Sequence, residues 1–100
     1  MNMKPIVERD DLRLRMSKIG MTATLLAVYA DAPGPVVCEF LSGRREELRD
    51  IWAFRVRDAL RACEALAAQV EGLPLRWNDV ATLRPRVYAF RSASIVPAAI

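Results

Sequence analysis

Residues 20–43, GMTATLLAVYADAPGPVVCEFLSG, can be folded in two incompatible ways. Thr22, Thr24, Val28 and Tyr29 favour an extended chain, Asp31-Ala32-Pro33-Gly34-Pro35 is concentrated turn chemistry, and VVCEFL (36–41) is again β-branched and aromatic. On that reading the segment is a β-hairpin. The competing reading begins upstream. Leu12, Met16, Ile19, Ala23, Leu26 and Ala30 also fall on one helical stripe, with Asp10 or Asp11 as its cap, so that a helix would precede the Pro-Gly-Pro break. Gly20 inside such a helix and the Thr22/Thr24 pair weigh against it. The expectation is therefore the hairpin, with an all-α chain as the alternative.

The flanking segments extend the same reading. DLRLRM (11–16) alternates Leu12, Leu14 and Met16 with Arg13 and Arg15, as does a strand with one wet face, and PRVYAF (85–90) alternates in the same way. Between them the spacing predicts one long helix over residues 44–71. Leu48, Ile51, Trp52, Val56, Ala59, Leu60, Cys63, Leu66, Ala67 and Val70 recur at intervals of three and four and make a single apolar stripe. Ser42 and Gly43 offer a cap region, Glu46 and Glu47 suit the positive end of the dipole, and Gly72-Leu73-Pro74 is a stop. The sum is an α+β fold in β-β-β-α-β order, a small antiparallel sheet covered by one long helix.

Composition bounds the rest. One hundred residues fit a single small domain over 1–100, and 53% hydrophobic with 27% charged residues places the chain among globular proteins. The apolar run Met21–Ala30 is far shorter than the roughly 20 residues of a membrane span, and the N-terminus, with Glu8, Asp10 and Asp11 close behind Lys4, has no signal-peptide core. A cytoplasmic protein with no membrane partner is expected. Cys38 and Cys63 lack a metal-binding spacing and read as buried thiols. Histidine is absent, which removes the Ser-His-Asp and Cys-His devices and the commonest transition-metal ligand. Glu39, Cys38 and Asp79 with Arg76 have no second residue fixed within reach by sequence spacing, and Gly34 and Gly43 belong to no phosphate-cradling loop. No enzymatic activity, cofactor or metal is expected. The net charge of +3 is made by 13 arginines and two lysines against 12 acids, with the excess at the two ends of the chain.

Two sets of residues are candidates for function. Phe54 falls opposite the apolar stripe, beside Asp50, Arg57 and Arg61. It either packs beneath another part of the chain or against an arginine stem, or it stands with Arg57 and Arg61 as an anchor for a partner protein. In the strand reading of 85–90, Arg84, Arg86, Tyr88 and Phe90 share one face, where guanidinium groups meet phosphates and rings stack on bases. The opposite orientation, with the two rings in the core, is the simpler one. Trp52 is assigned to the core, and Trp77 to the core or to a surface anchor. No RNA-binding aromatic motif, helix-turn-helix spacing or arginine block accompanies the second set. In kind, though on no particular residue, the chain resembles the small accessory proteins of phages and mobile elements that bind and block a host protein, anti-CRISPR proteins among them. The expected function is thus a non-enzymatic protein-binding module, possible as a homodimer. The alternative is a small basic nucleic-acid-binding protein.

Overall fold

The computed structural model describes residues 7–70 and 75–95 and, among them, five helices and no strand. These are α1 (Arg9–Lys18), α2 (Ala23–Ala30), α3 (Gly34–Ser42), α4 (Asp50–Gln69) and α5 (Val80–Ile95). The expected α+β fold is overturned and the all-α alternative holds. The tail after Ile95 and the Glu71–Pro74 stop lie outside the described residues, as do the side chains of 92–95.

Gly20, Thr22 and the 31–35 turn, which argued against a helical reading, serve helix ends. Gly20 does not interrupt a helix but ends one: at φ 67° it is in the left-handed region, while the Met21 amide closes back on the Met16 carbonyl at 2.9 Å. Thr22 is the N-cap of α2, its hydroxyl accepting from the Leu25 amide at 3.3 Å. Alanines and leucines, good helix formers, then carry the chain to Asp31. Asp31 adopts φ 55°, and the Ala32 amide donates to the Ala27 carbonyl at 3.0 Å, the bonding pattern of a Schellman stop. The Pro33-Gly34-Pro35 run starts α3, since proline in a first turn forfeits no intrahelical bond. Gly43, at φ 90°, ends α3 instead of capping the long helix, with the Arg44 amide on the Glu39 carbonyl at 2.9 Å. For that reason α4 begins at Asp50, six residues later than the spacing predicts.

Burial follows helical periods throughout. In α1, Leu12 and Met16 are buried while Leu14, expected on the same strand face, is 58% exposed. In α3 the buried set is Val37, Phe40 and Leu41. In α5 it is Leu83 and Val87, four residues apart, with Phe90 partly buried against the core; six alternating residues concealed that stripe. Asp79 heads α5, its carboxylate accepting from the Thr82 amide at 3.3 Å. Two assignments along α4 are corrected: Ile51 is 49% exposed, and Trp52 is only half-buried, with the Arg55 guanidinium 5.4 Å from its ring centre. The core side of that helix is formed by Val56, Ala59, Leu60, Cys63 and Leu66.

α2 lies at the centre, packed against α3, α4 and α5, while α4 and α5 pack along each other and α1 rests on α3. Leu26, Val37, Val56, Leu60, Leu66 and Val87 are fully buried in one core, where each such side chain stabilises the fold by about 1.5–3 kcal/mol. Tyr29 is also fully buried. Its hydroxyl donates to the Trp77 carbonyl at 2.6 Å, and the Trp77 indole N–H donates to the Ile19 carbonyl at 2.7 Å, with the rings edge to face at 5.8 Å. Trp77 is therefore a core residue, and it fastens the segment before α5 to the end of α1.

Candidate functional site

α2 and α3 contain eight and nine residues, are joined by the three residues Asp31, Ala32 and Pro33, and pack on each other. α1 is laid against α3 beside this pair of short helices. The turn between α2 and α3 is held from outside. Arg84 of α5 pairs with one oxygen of the Asp31 carboxylate, and Arg91 lies 3.7 Å from the other. Arg55 of α4 donates to the Asp31 carbonyl at 3.1 Å. Arg91 also donates to the carbonyls of Tyr29 and Ala30, at 3.3 and 3.2 Å, and so satisfies acceptors that the end of α2 leaves open. Three arginines, 24 to 62 residues away in sequence from the groups they hold, thus converge on one turn.

This geometry redistributes the second set of sequence candidates. On a helix, Arg84 and Tyr88 share a face and Arg86 and Phe90 share another, so no common stacking face exists for the four. Two guanidinium groups lie near the Tyr88 ring, Arg91 at 4.2 Å and Arg84 at 5.8 Å from its centre. Arg86 is exposed.

The outer side of the α2–α3 pair is mixed. α3 exposes Pro35 and Ser42 and half-exposes Val36, Cys38 and Glu39; Glu39 is paired with Arg45 at 3.0 Å. Arg13, Lys18 and Arg44 are exposed around it and form no ion pair among the described residues. A shallow groove lined by Arg13, Met16, Ser17, Met21, Ala23 and Leu41 runs from α1 to the start of α2 and the end of α3. Arg13 and Ala23, the first residue of α2, line this groove together.

The first set of candidates stays together. Phe54 is 40% exposed on α4, with the Arg57 guanidinium 4.9 Å from its ring centre and Arg61 exposed one turn further on. Arg57 is fixed by two bonds to the buried Asp58 carboxylate, both 3.1 Å. Ile51, three residues before Phe54, widens the apolar part of this face.

Cys38 and Cys63 are both free thiols, Cys38 half-exposed and Cys63 buried. Burial pushes the Cys63 thiol up to about 12, with Glu64 adding to the shift. Among the described residues no group of three or more Cys, Asp or Glu is placed to hold a metal ion, and no helix is long and apolar enough to cross a membrane. Sequence reasoning missed the pair of short helices α2 and α3. The signal it passed over was the pair Gly20 and Gly43, two helix stops enclosing two short helices, with Thr22 as a cap between them. Comparison with protein-family profiles, with curated proteins and with solved structures returned no match to this chain.

Proposed function

We propose that this chain is a small, non-enzymatic DNA-binding protein that uses α2 and α3 as a helix-turn-helix. The observation that carries this reading is the pair of short helices joined by three residues, with Asp31 in the left-handed conformation at the turn. In this reading α3 faces the major groove and reads it with the small and polar side chains around Ser42, Cys38 and Glu39. Arg13, Lys18 and Arg44, which form no ion pair among the described residues, meet phosphates and give affinity without sequence preference. The basic character of the chain, with a pI near 9.3, supports the same reading, and two free thiols fit a reducing cytoplasm. The test is fluorescence anisotropy with duplex DNA over a salt series. Affinity falling steeply with salt, and a shallower salt slope for Arg13→Ala with Arg44→Ala, supports it; binding unchanged by either variant refutes it.

A second reading is a protein-binding module, favoured by the exposure of Phe54 and Ile51 beside Arg57 and Arg61 on α4. An inhibitor of a host protein, in the manner of phage accessory proteins, is the form of it suggested by size alone. Capture of a partner from nuclease-treated lysate, lost on Phe54→Ala, distinguishes it from DNA binding.

A further inference from the structure

The outer face of α4 has a charge order that is its own complement. Asp50, Phe54, Arg57 and Arg61 follow at intervals of four, three and four, so Asp50 and Arg61 are separated by three helical turns and stand on the same face, roughly 16 Å apart along the axis. Asp50 and Arg61 are exposed and form no ion pair among the described residues. Read from the amino end, the face runs acid, ring, guanidinium, guanidinium.

We infer that this face binds a second copy of the chain in an antiparallel α4–α4 pair. The inference rests on reading the face as a protein-binding surface and names its partner. A two-fold axis crossing the helix between residues 55 and 56 sets Asp50 of one copy opposite Arg61 of the other, twice, and sets each Phe54 ring against the opposing Arg57 stem and guanidinium. Both ion pairs then form from charges that a single copy leaves exposed, and each ring meets an arginine already held in place by Asp58. Ile51, beside Phe54, lies at the edge of the same seam and adds apolar area. A purely acidic partner would match Arg61 but leave Asp50 facing like charge, while Arg57 is already neutralised by Asp58. A second copy matches the whole order. It would also present two helix-turn-helix units related by a two-fold axis, the arrangement suited to a pseudo-palindromic DNA site.

The test is sedimentation equilibrium of the full chain at low salt over a wide concentration range. The wild-type protein is expected to show a reversible monomer–dimer equilibrium. Asp50→Arg and Arg61→Asp should each weaken it at least about tenfold, because each replaces both outer ion pairs by like charges set face to face. The double variant, with both charges exchanged, should restore association to near wild type, because both ion pairs re-form with reversed polarity. Circular dichroism of each variant verifies that the helices are kept, and Arg61→Asp, away from the start of α4, serves if Asp50→Arg is misfolded. A wild-type chain that stays monomeric throughout, or a double variant no better than the singles, overturns the inference. If a monomeric chain still captures another protein through Phe54, the self-association fails while the protein-binding reading stands.

Discussion

Asp31 carries two separable loads, and substitutions there should separate them. The first is conformational: an ordinary L-residue held in the left-handed region costs about 1–2 kcal/mol, less for aspartate or asparagine, and nothing comparable for glycine. The second is electrostatic. The carboxylate receives Arg84, in a pair open enough to water to be worth about 0.2–1 kcal/mol, and Arg91, which keeps its bonds to the Tyr29 and Ala30 carbonyls when the carboxylate is removed. Asp31→Ala loses both and should cost about 1–3 kcal/mol. In a chain of this length each kcal/mol moves the thermal midpoint by about 4–8 °C, so the midpoint should fall by at least about 4 °C. Asp31→Gly loses the charge but relieves the backbone, and should be more stable than Asp31→Ala by about 1 kcal/mol. Asp31→Asn tolerates the left-handed backbone and still offers Arg84 an acceptor, so it should be the mildest of the three. Differential scanning calorimetry of the series gives the order directly. Equal midpoints for the alanine and glycine variants would refute the conformational load, and an alanine variant as stable as wild type would refute both.

Phe54→Ala removes a ring that is 40% exposed and a cation–π contact worth about 0.5–1 kcal/mol at the surface, so the midpoint should move by only a few degrees, against about 3–5 kcal/mol for a core phenylalanine; a drop of that larger size means the ring is internal packing. With a thiol reagent under native conditions Cys38 should react and Cys63 should not until the chain unfolds, which mass spectrometry of the labelled peptides checks. Stability should also fall as pH rises above about 9. The Tyr29 hydroxyl and the Cys63 thiol are each pushed up to about 12 by burial, so the unfolded chain releases these protons first and alkaline solution favours it. Urea midpoints between pH 7 and 11 test this, and Cys63→Ala should remove the part of the decline that begins nearest pH 9. Tyr29→Phe leaves the Trp77 carbonyl without its donor and should cost about 1–3 kcal/mol in a denaturant titration.

How far the sequence discloses this fold depends on the length over which each pattern runs. α4 shows itself because its core-facing residues, from Ala53 to Leu66, repeat the helical period for several turns. α2 and α3 are too short for a period to emerge, and Thr22, Val36 and Val37 suit either conformation until their neighbours are known. Thr22 is read as β-forming when taken by its propensity and as a cap when taken with the Leu25 amide. PRVYAF alternates for six residues, and only the packing of Leu83 and Val87 on the core shows which period governs it. The candidate surfaces divide in the same way. Phe54, Arg57 and Arg61 are legible together because they share one helix, so sequence spacing alone places them. The hold of Arg84 and Arg91 on the Asp31 turn joins residues more than fifty positions apart, and no local spacing encodes it.

Helices of eight and nine residues do not persist in water by themselves, since isolated helices below about 12–15 residues are marginal even in alanine-rich sequences. α2 and α3 borrow their helicity from α4 and α5, through the shared core and through Arg55, Arg84 and Arg91. The proposed reading head therefore has no stability of its own to spend, and its occupancy at any temperature equals the folded fraction of the whole chain. Leu60, fully buried on α4, offers the consequence in its plainest form. Truncation to alanine there removes about 2–5 kcal/mol from a total that is typically 5–15. Such a variant keeps every surface residue and, on the DNA-binding reading, should bind normally when cool and lose its DNA over a few degrees of warming: a temperature-sensitive allele made at a position that touches nothing outside the protein.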